Sequence, residues 1–337
     1  MPSSSALSAT VQAMLTPGKG LLAADESLPT IGRRFEALAI PSTEENRRAY
    51  RELLFTTPGL GETISGAILF DETLRQKTSR GVPMPEVLAR QGIVPGIKVD
   101  KGTVALPRLE GEKITAGLDG LRDRLTEYRA LGARFTKWRA VIAITGLERP
   151  TRMCIDDNAR ALALFAVLSQ EAGLVPIVEP EVLMEGDHSL ARCAEVTELV
   201  LLRVFDALAA HRVVLEEMLL KTGMVLSGDK CPEQAGVSAV AEATLRCLRR
   251  TVPAAVPGIV FLSGGQSADV ATQHLDAICR AGNAPWTLSF SFGRALQSPA
   301  LDAWQGSPAN VAAAQAALQA CAKRNGAALH AGARREV

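Results

Sequence analysis

Histidine is scarce in this chain and tyrosine scarcer, with four of the first and two of the second among 337 residues. The histidines (His188, His211, His274 and His330) never stand at i, i+4, which argues against a histidine-based metal site. The six cysteines (Cys154, Cys193, Cys231, Cys247, Cys279 and Cys321) form no C-x-x-C pair. The N-terminus also lacks a basic segment followed by an apolar one. Free buried thiols in a reducing, cytoplasmic setting are therefore expected. No apolar run approaches the roughly 18 residues of a membrane span, so no membrane partner is expected. Charge of one sign is missing as well: 37 Lys and Arg face 36 Asp and Glu. Without a basic excess, nucleic acid is a poor partner. Neither a phosphate-cradling G-x-x-x-x-G-K-[ST] loop nor a dinucleotide-type G-x-G-x-x-G turn is present.

What is present is a repeat of short β-rich segments and helical stretches. The segments run over residues 20–25, 66–70, 94–99, 134–144, 174–182, 218–225, 258–264 and 286–292, many bounded by Gly or Pro. Between them, Ser42-Thr43-Glu44-Glu45 has the form of a capping box opening a helix through Leu54. Residues 156–172 form an amphipathic stretch closed by Gly173, and residues 188–211, 267–281 and 308–323 behave alike. Eight β-to-α repeats point to an α/β fold, a (β/α)8 TIM barrel, rather than the open doubly wound sheet that the pattern also permits. The expectation is one barrel domain over residues 1–337, with a short N-terminal extension and a short C-terminal tail.

A barrel should gather reactive groups at the C-terminal ends of its strands. Asp25 ends the first strand. Lys98 and Asp100 share a face of the third, and Lys137 and Arg139 share a face of the fourth. The fifth carries Glu179 and Glu181, and the sixth leads into Lys221. Lysine is seldom buried without a partner, so three lysines at strand ends beside carboxylates need a reason. A lysine nucleophile must be neutral, and burial together with a neighbouring cation lowers its pKa. This suits Schiff-base chemistry on a carbonyl compound. Two carboxylates as near as Glu179 and Glu181 are expected to push one pKa upward, giving an acid and a base. Asp25 is a candidate general base. Ser263-Gly264-Gly265 precedes a helix starting near Ser267, a place for an oxyanion, and Arg294 after the eighth strand completes a phosphate pocket.

Several strings in the sequence resemble the class I fructose-bisphosphate aldolases. They are Gly18-Lys-Gly20 through Leu-Ala-Ala-Asp-Glu-Ser27, Thr43-Glu-Glu-Asn-Arg-Arg48, Ile68-Leu-Phe70, Gly96-Ile-Lys-Val-Asp-Lys-Gly102 and Lys137-Trp-Arg139. Ile177-Val-Glu-Pro-Glu181, Leu219-Leu-Lys221, Phe261-Leu-Ser-Gly-Gly-Gln-Ser267 and Gly293-Arg-Ala-Leu296 continue the match, which spans about residues 18–320. The resemblance implies reversible cleavage of fructose 1,6-bisphosphate to dihydroxyacetone phosphate and glyceraldehyde 3-phosphate, in glycolysis and gluconeogenesis. Lys221 then matches the Schiff-base lysine, Glu179 the acid/base of carbinolamine dehydration, and Lys137 the lysine that lowers the nucleophile's pKa. Asp25 matches the base for the C4 hydroxyl, and Glu181 the partner that keeps the lysine–carboxylate network in place. Arg34, Ser263, Gly264, Gly265, Ser291 and Arg294 match one phosphate pocket and its surroundings. Ser27, Lys98 and Arg139 match contacts toward the other phosphate. The resemblance also implies no metal, no cofactor and a homotetramer.

Three departures stand out. The family's usual Lys-Pro-Asn is here Lys221-Thr222-Gly223, which loosens the chain after the nucleophile. Thr30 stands where a serine hydroxyl is often found near the phosphate. The tail carries no tyrosine, so the proton for C3 of the enamine must come from Glu179, Glu181 or water, and slower exchange at C3 is expected. The alternatives are another Schiff-base barrel, such as a transaldolase or deoxyribose-phosphate aldolase, and a non-catalytic scaffold with this fold.

Overall fold

The eight β-rich segments lie side by side in chain order in the computed structural model, which describes residues 4–330. They form β1 (Gly20–Ala24), β2 (Ile64–Leu69), β3 (Val94–Lys98), β4 (Phe135–Ile142), β5 (Val175–Val182), β6 (Leu219–Thr222), β7 (Gly258–Phe261) and β8 (Thr287–Phe292). Every neighbouring pair is parallel, and β8 returns to β1, where Leu21 pairs with Ser291. The sheet is thus closed, and the open doubly wound alternative is set aside.

Successive strand residues point to opposite faces, so each barrel strand serves two cores. On the outer side, Trp138 of β4 stacks on Phe165 of the helix Arg152–Glu171, with ring centroids 5.6 Å apart. On the inner side, Leu21, Ala23, Ile68, Phe135, Val175, Ile177, Leu219 and Val260 form a separate apolar cluster. The helix Ser4–Met14 closes its lower end with Leu7, Val11 and Met14. Their spacing of four and three puts them on one helical face. The segment expected as a plain extension is thus part of the barrel core, and only those three residues mark its buried side.

Caps explain where the other helices differ from expectation. Thr43, not Ser42, is the cap of Glu44–Phe55, accepting the Asn46 N–H at 3.1 Å. Thr151 accepts the Cys154 N–H at 3.2 Å, which starts the next long helix at Arg152 rather than at Asp156. Gly173, at φ +76°, follows that helix as expected. Ser189 and Ser267 cap Leu190–Ala210 and Ala268–Ala281. The last helix runs Val311–Leu329 behind a short 3-10 turn, past the expected end at Lys323. One small hairpin, Thr103–Ala105 with Lys113–Thr115, was not anticipated. Its strands are three residues long and mostly exposed, too short for an alternation signal, yet Thr115 Oγ1 donates to the Arg139 carbonyl at 2.7 Å and braces β4. All six cysteines are unpaired, and only Cys231 is not fully buried.

Candidate active site

The inner face changes character along each strand. On β4 the inward positions pass from Phe135 to Lys137 and Arg139. On β5 they pass from Val175 and Ile177 to Glu179 and Glu181, and on β6 from Leu219 to Lys221. Beyond the end of β1, Asp25 continues the row of Leu21 and Ala23. Pairing in register sets Lys98 beside Lys137 and Arg139 beside Glu179. Charged side chains from five strands therefore meet above the apolar plug, at the C-terminal end of the barrel.

Their contacts form a line of alternating charge. Lys221 Nζ lies 3.1 Å from Glu179 Oε1, Glu179 Oε2 lies 3.1 Å from Lys137 Nζ, and Lys137 Nζ lies 2.6 Å from Asp25 Oδ2. Lys137, Glu179 and Lys221 are each 3% exposed, and Asp25 is 9% exposed. Glu181 binds Arg139 instead, and Lys98 binds Asp100, whose carbonyl it also reaches at 2.9 Å. Asp100 in turn accepts the N–H groups of Gly102 and Arg139, tying the end of β3 to β4.

These pairings correct two expectations. Glu179 is not pushed upward by Glu181: Glu179 faces Lys137 and Lys221, while Glu181 pairs with Arg139. Burial favours the neutral form of Glu179, but Lys137, Lys221 and Arg139 outweigh it and hold the carboxyl below its usual range. Asp25 behaves alike: burial raises it, while Lys137, Lys221 and Lys98 bring it well below the ordinary carboxylate value. Lys137 shifts in the opposite sense, upward. Burial works against its charge, but Asp25, Glu179 and Asp100 raise its pKa above that of a free lysine. It is a fixed cation beside Lys221. Glu181, expected to keep the lysine–carboxylate network in place, contacts Arg139 rather than either lysine.

Around this line stand the residues matched to phosphates. Gly264 and Gly265 take φ of +58° and +93°, conformations that suit glycine. They lead into Ser267, the cap of Ala268–Ala281. A Cβ added to Gly265 would lie 3.6 Å from Arg294 Nη2, so the guanidinium after β8 reaches across to this turn. Ser263 and Ser291 are buried, and the Ser291 Oγ has no partner. Just beyond the end of β1, Ser27 Oγ lies 3.1 Å from Thr30 Oγ1. Arg34 sits on the helix Leu28–Glu36 and is drawn to Glu26. Among the described residues, no group of three His, Cys, Asp or Glu could hold a metal ion, and no helix is long and apolar enough to cross a membrane.

A family model described as class-I fructose-bisphosphate aldolase matches residues 6–334. The chain belongs to the class I fructose-bisphosphate aldolase family. A probable class 1 fructose-bisphosphate aldolase of Xanthomonas campestris is 57% identical over 323 residues, covering 96% of each chain. The cytosolic fructose-bisphosphate aldolase 4 of Arabidopsis thaliana is 54% identical over 92% of this chain and 79% of its own. Among solved structures, the aldolase of Plasmodium falciparum, in complex with TRAP and a small-molecule inhibitor, superposes with a TM-score of 0.96. It is 50% identical, over 97% of this chain and 95% of that one. The (β/α)8 barrel and Schiff-base chemistry are general to this class of aldolases. The other Schiff-base barrels are thereby set aside.

Residues outside the expected set also stand behind the site. Glu26, Arg51, Tyr50 and Gln297 form a buried polar cluster behind Asp25. The signal was visible at Arg51, a charge between Tyr50 and the Leu53-Leu54-Phe55 run on a helix. The departures fare unevenly. Gly223 has an ordinary negative φ, and a Cβ there would meet Leu262 and Val182 at a comfortable 3.8 Å. The tail read as lacking a tyrosine lies outside the described residues. Both tyrosines are core residues: Tyr50 stacks on Trp304 at 5.4 Å, and Tyr128 is 3% exposed.

Proposed function

We propose that this chain cleaves fructose 1,6-bisphosphate reversibly, within one barrel domain, with Lys221 as the covalent residue. The buried line Lys221–Glu179–Lys137–Asp25 carries this reading. Glu179 takes the proton of the Lys221 ammonium, and the free amine attacks the C2 ketone. The attacking nitrogen passes a proton to the ketone oxygen, giving the carbinolamine; Glu179 then returns its own proton to that hydroxyl, so water leaves and an iminium forms. Asp25 takes the C4 hydroxyl proton, the C3–C4 bond breaks, and its electron pair moves into the iminium to give an enamine. Glyceraldehyde 3-phosphate departs. Protonation at C3 and hydrolysis release dihydroxyacetone phosphate. Lys137 supplies the fixed positive charge that keeps Asp25 and Glu179 ionised between proton transfers. Glu181 orients Arg139.

Ser263, Ser291, Arg294, Arg34 and the amides of Gly264 and Gly265 receive one phosphate, and Ser27, Lys98 and Arg139 face the other. Triose-phosphate release from fructose 1,6-bisphosphate tests the reading. It should proceed at full rate in excess chelator and vanish in Lys221→Met. Full activity in that variant would contradict it.

The setting is proposed as cytoplasmic, in glycolysis and gluconeogenesis, supported by the cytosolic plant relative. A homotetramer is proposed as well. Leu199 and Leu202, one helical turn apart on Leu190–Ala210, are 42% and 47% exposed, and Val214 is 46% exposed. The adjacent exposed pair Leu199 and Leu202 suits burial against another copy. Light scattering should give four times the chain mass, and a monomer would contradict this.

A further inference from the structure

Asp25 and Glu26 are consecutive at the end of β1, and they face opposite ways. Asp25 meets Lys137, while Glu26 is buried behind it against Arg34 and Arg51, with Arg51 Nη2 2.6 Å from Glu26 Oε2. The residue that joins this pair to the rest of the barrel is Gln297. It is completely buried, on the helix Arg294–Trp304, one turn beyond Arg294. Its Nε2 donates to the Ala23 carbonyl at 2.6 Å and to Glu26 Oε1 at 2.8 Å. Its Oε1 accepts from the Tyr50 hydroxyl at 3.2 Å and from Arg51 Nη1 at 3.5 Å. Two donors on one side and two acceptors on the other leave a single orientation for the amide. The helix keeps its own place through the buried Leu296, Ala300, Leu301 and Trp304. It is therefore a rigid support, and the strand end is the part that is held.

We propose that Gln297 is a positioning residue for Asp25. By fastening the Ala23 carbonyl and Glu26 to the helix behind β8, it sets where the Asp25 carboxylate stands relative to the C4 hydroxyl. The proposal rests on the role given to Asp25 above. Because Gln297 touches neither Lys221 nor Glu179, its effect is confined to bond cleavage and does not extend to Schiff-base formation.

Gln297→Met keeps the side-chain volume and removes all four polar contacts. The turnover of fructose 1,6-bisphosphate should fall about 10- to 100-fold, the scale of a 1 Å misplacement, with KM little changed. Borohydride trapping of dihydroxyacetone phosphate on Lys221, which involves no C4 proton, should keep its wild-type rate. In an Asp25→Ala background, Gln297→Met should add no further loss of cleavage. Unchanged cleavage, equal falls in cleavage and trapping, or an additive loss would each overturn the proposal. Should Asp25→Ala itself cleave normally, the role of Asp25 fails first and the proposal goes with it. If Gln297→Met does not fold, Tyr50→Phe carries the test by removing one of the two donors to the amide. Cleavage should then fall about two- to tenfold, the worth of one buried hydrogen bond, with trapping intact. No fall, or a parallel fall in trapping, would overturn the proposal.

Discussion

The lower and upper halves of the barrel interior are built from the same strands, two residues apart, and they obey opposite rules. Below, Leu21, Phe135, Ile177, Leu219 and Val260 pack on one another and on the N-terminal helix. Above, Asp25, Lys137, Glu179 and Lys221 continue the same rows and are buried almost as deeply. The lower half needs only volume, and hydrophobic burial of about 25 cal/mol per Å² stabilises it. The upper half costs desolvation for every charge, offset only because each carboxylate meets a cation. Stability is thus concentrated in one layer and chemistry in the next. Lysine and glutamate can stand in this buried layer because each meets an opposite charge and the packed plug beneath fixes the strands.

Substitutions that treat one half by the other's rule should break this contrast. The largest effect is expected from Lys221→Met. Turnover should drop by at least about 10⁴-fold, as for other lost nucleophiles, while thermal melting shows a fold that is intact. Lys137→Met strikes both properties. It leaves Asp25 and Glu179 facing each other without the cation between them. A loss of about 3–5 kcal/mol is expected from breaking a buried pair, measured by urea unfolding. In the lower half, Ile68→Ala should cost about 2–5 kcal/mol by opening a cavity, yet turnover per folded molecule should stay within twofold of wild type. A large fall in turnover there would erase the distinction between the layers.

The charged layer should also impose a pH window that the apolar layer cannot. Asp25 and Glu179 have folded pKa values below their unfolded ones, so their stabilisation is present above about pH 4 and lost as pH falls through the folded values. Lys137 has a raised folded pKa, so its contribution is full below about pH 10 and lost as pH rises through the folded value. Urea midpoints across pH should show a plateau between these limits, with the alkaline decline weakened in Lys137→Met. The smallest effect concerns Gly223→Ala. Space and φ both permit the methyl group, so the change should stabilise by about 0.4–1 kcal/mol through the unfolded chain, with turnover close to wild type.

The upper layer was legible in the sequence because a charge within an apolar strand is conspicuous. Lys137, Arg139, Glu179, Glu181 and Lys221 each interrupt an alternation that otherwise reads as core. The glycine turn at 263–265 was legible for a similar reason, since it separates a strand from a capped helix. Partner choice was not legible. Nothing local says that Glu181 takes Arg139 and leaves the lysines to Glu179, because the pairing depends on register between strands far apart in the chain. Gln297 was invisible for a related reason. Its four contacts come from β1, Glu26 and the helix Glu44–Phe55, and a glutamine on a helix carries no mark of burial. The N-terminal plug is hard to read because its eleven residues hold only three large apolar side chains, Leu7, Val11 and Met14, which make a weak helical face.

The central claim is that the charged layer exists to make one lysine covalent. The direct measurement is to mix the protein with fructose 1,6-bisphosphate, reduce with borohydride and map the modified peptide by mass spectrometry. The account predicts a single secondary amine at Lys221, with Lys137 untouched because its proton is held by Asp25 and Glu179. An adduct on Lys137, or cleavage proceeding with no adduct on either lysine, would contradict it.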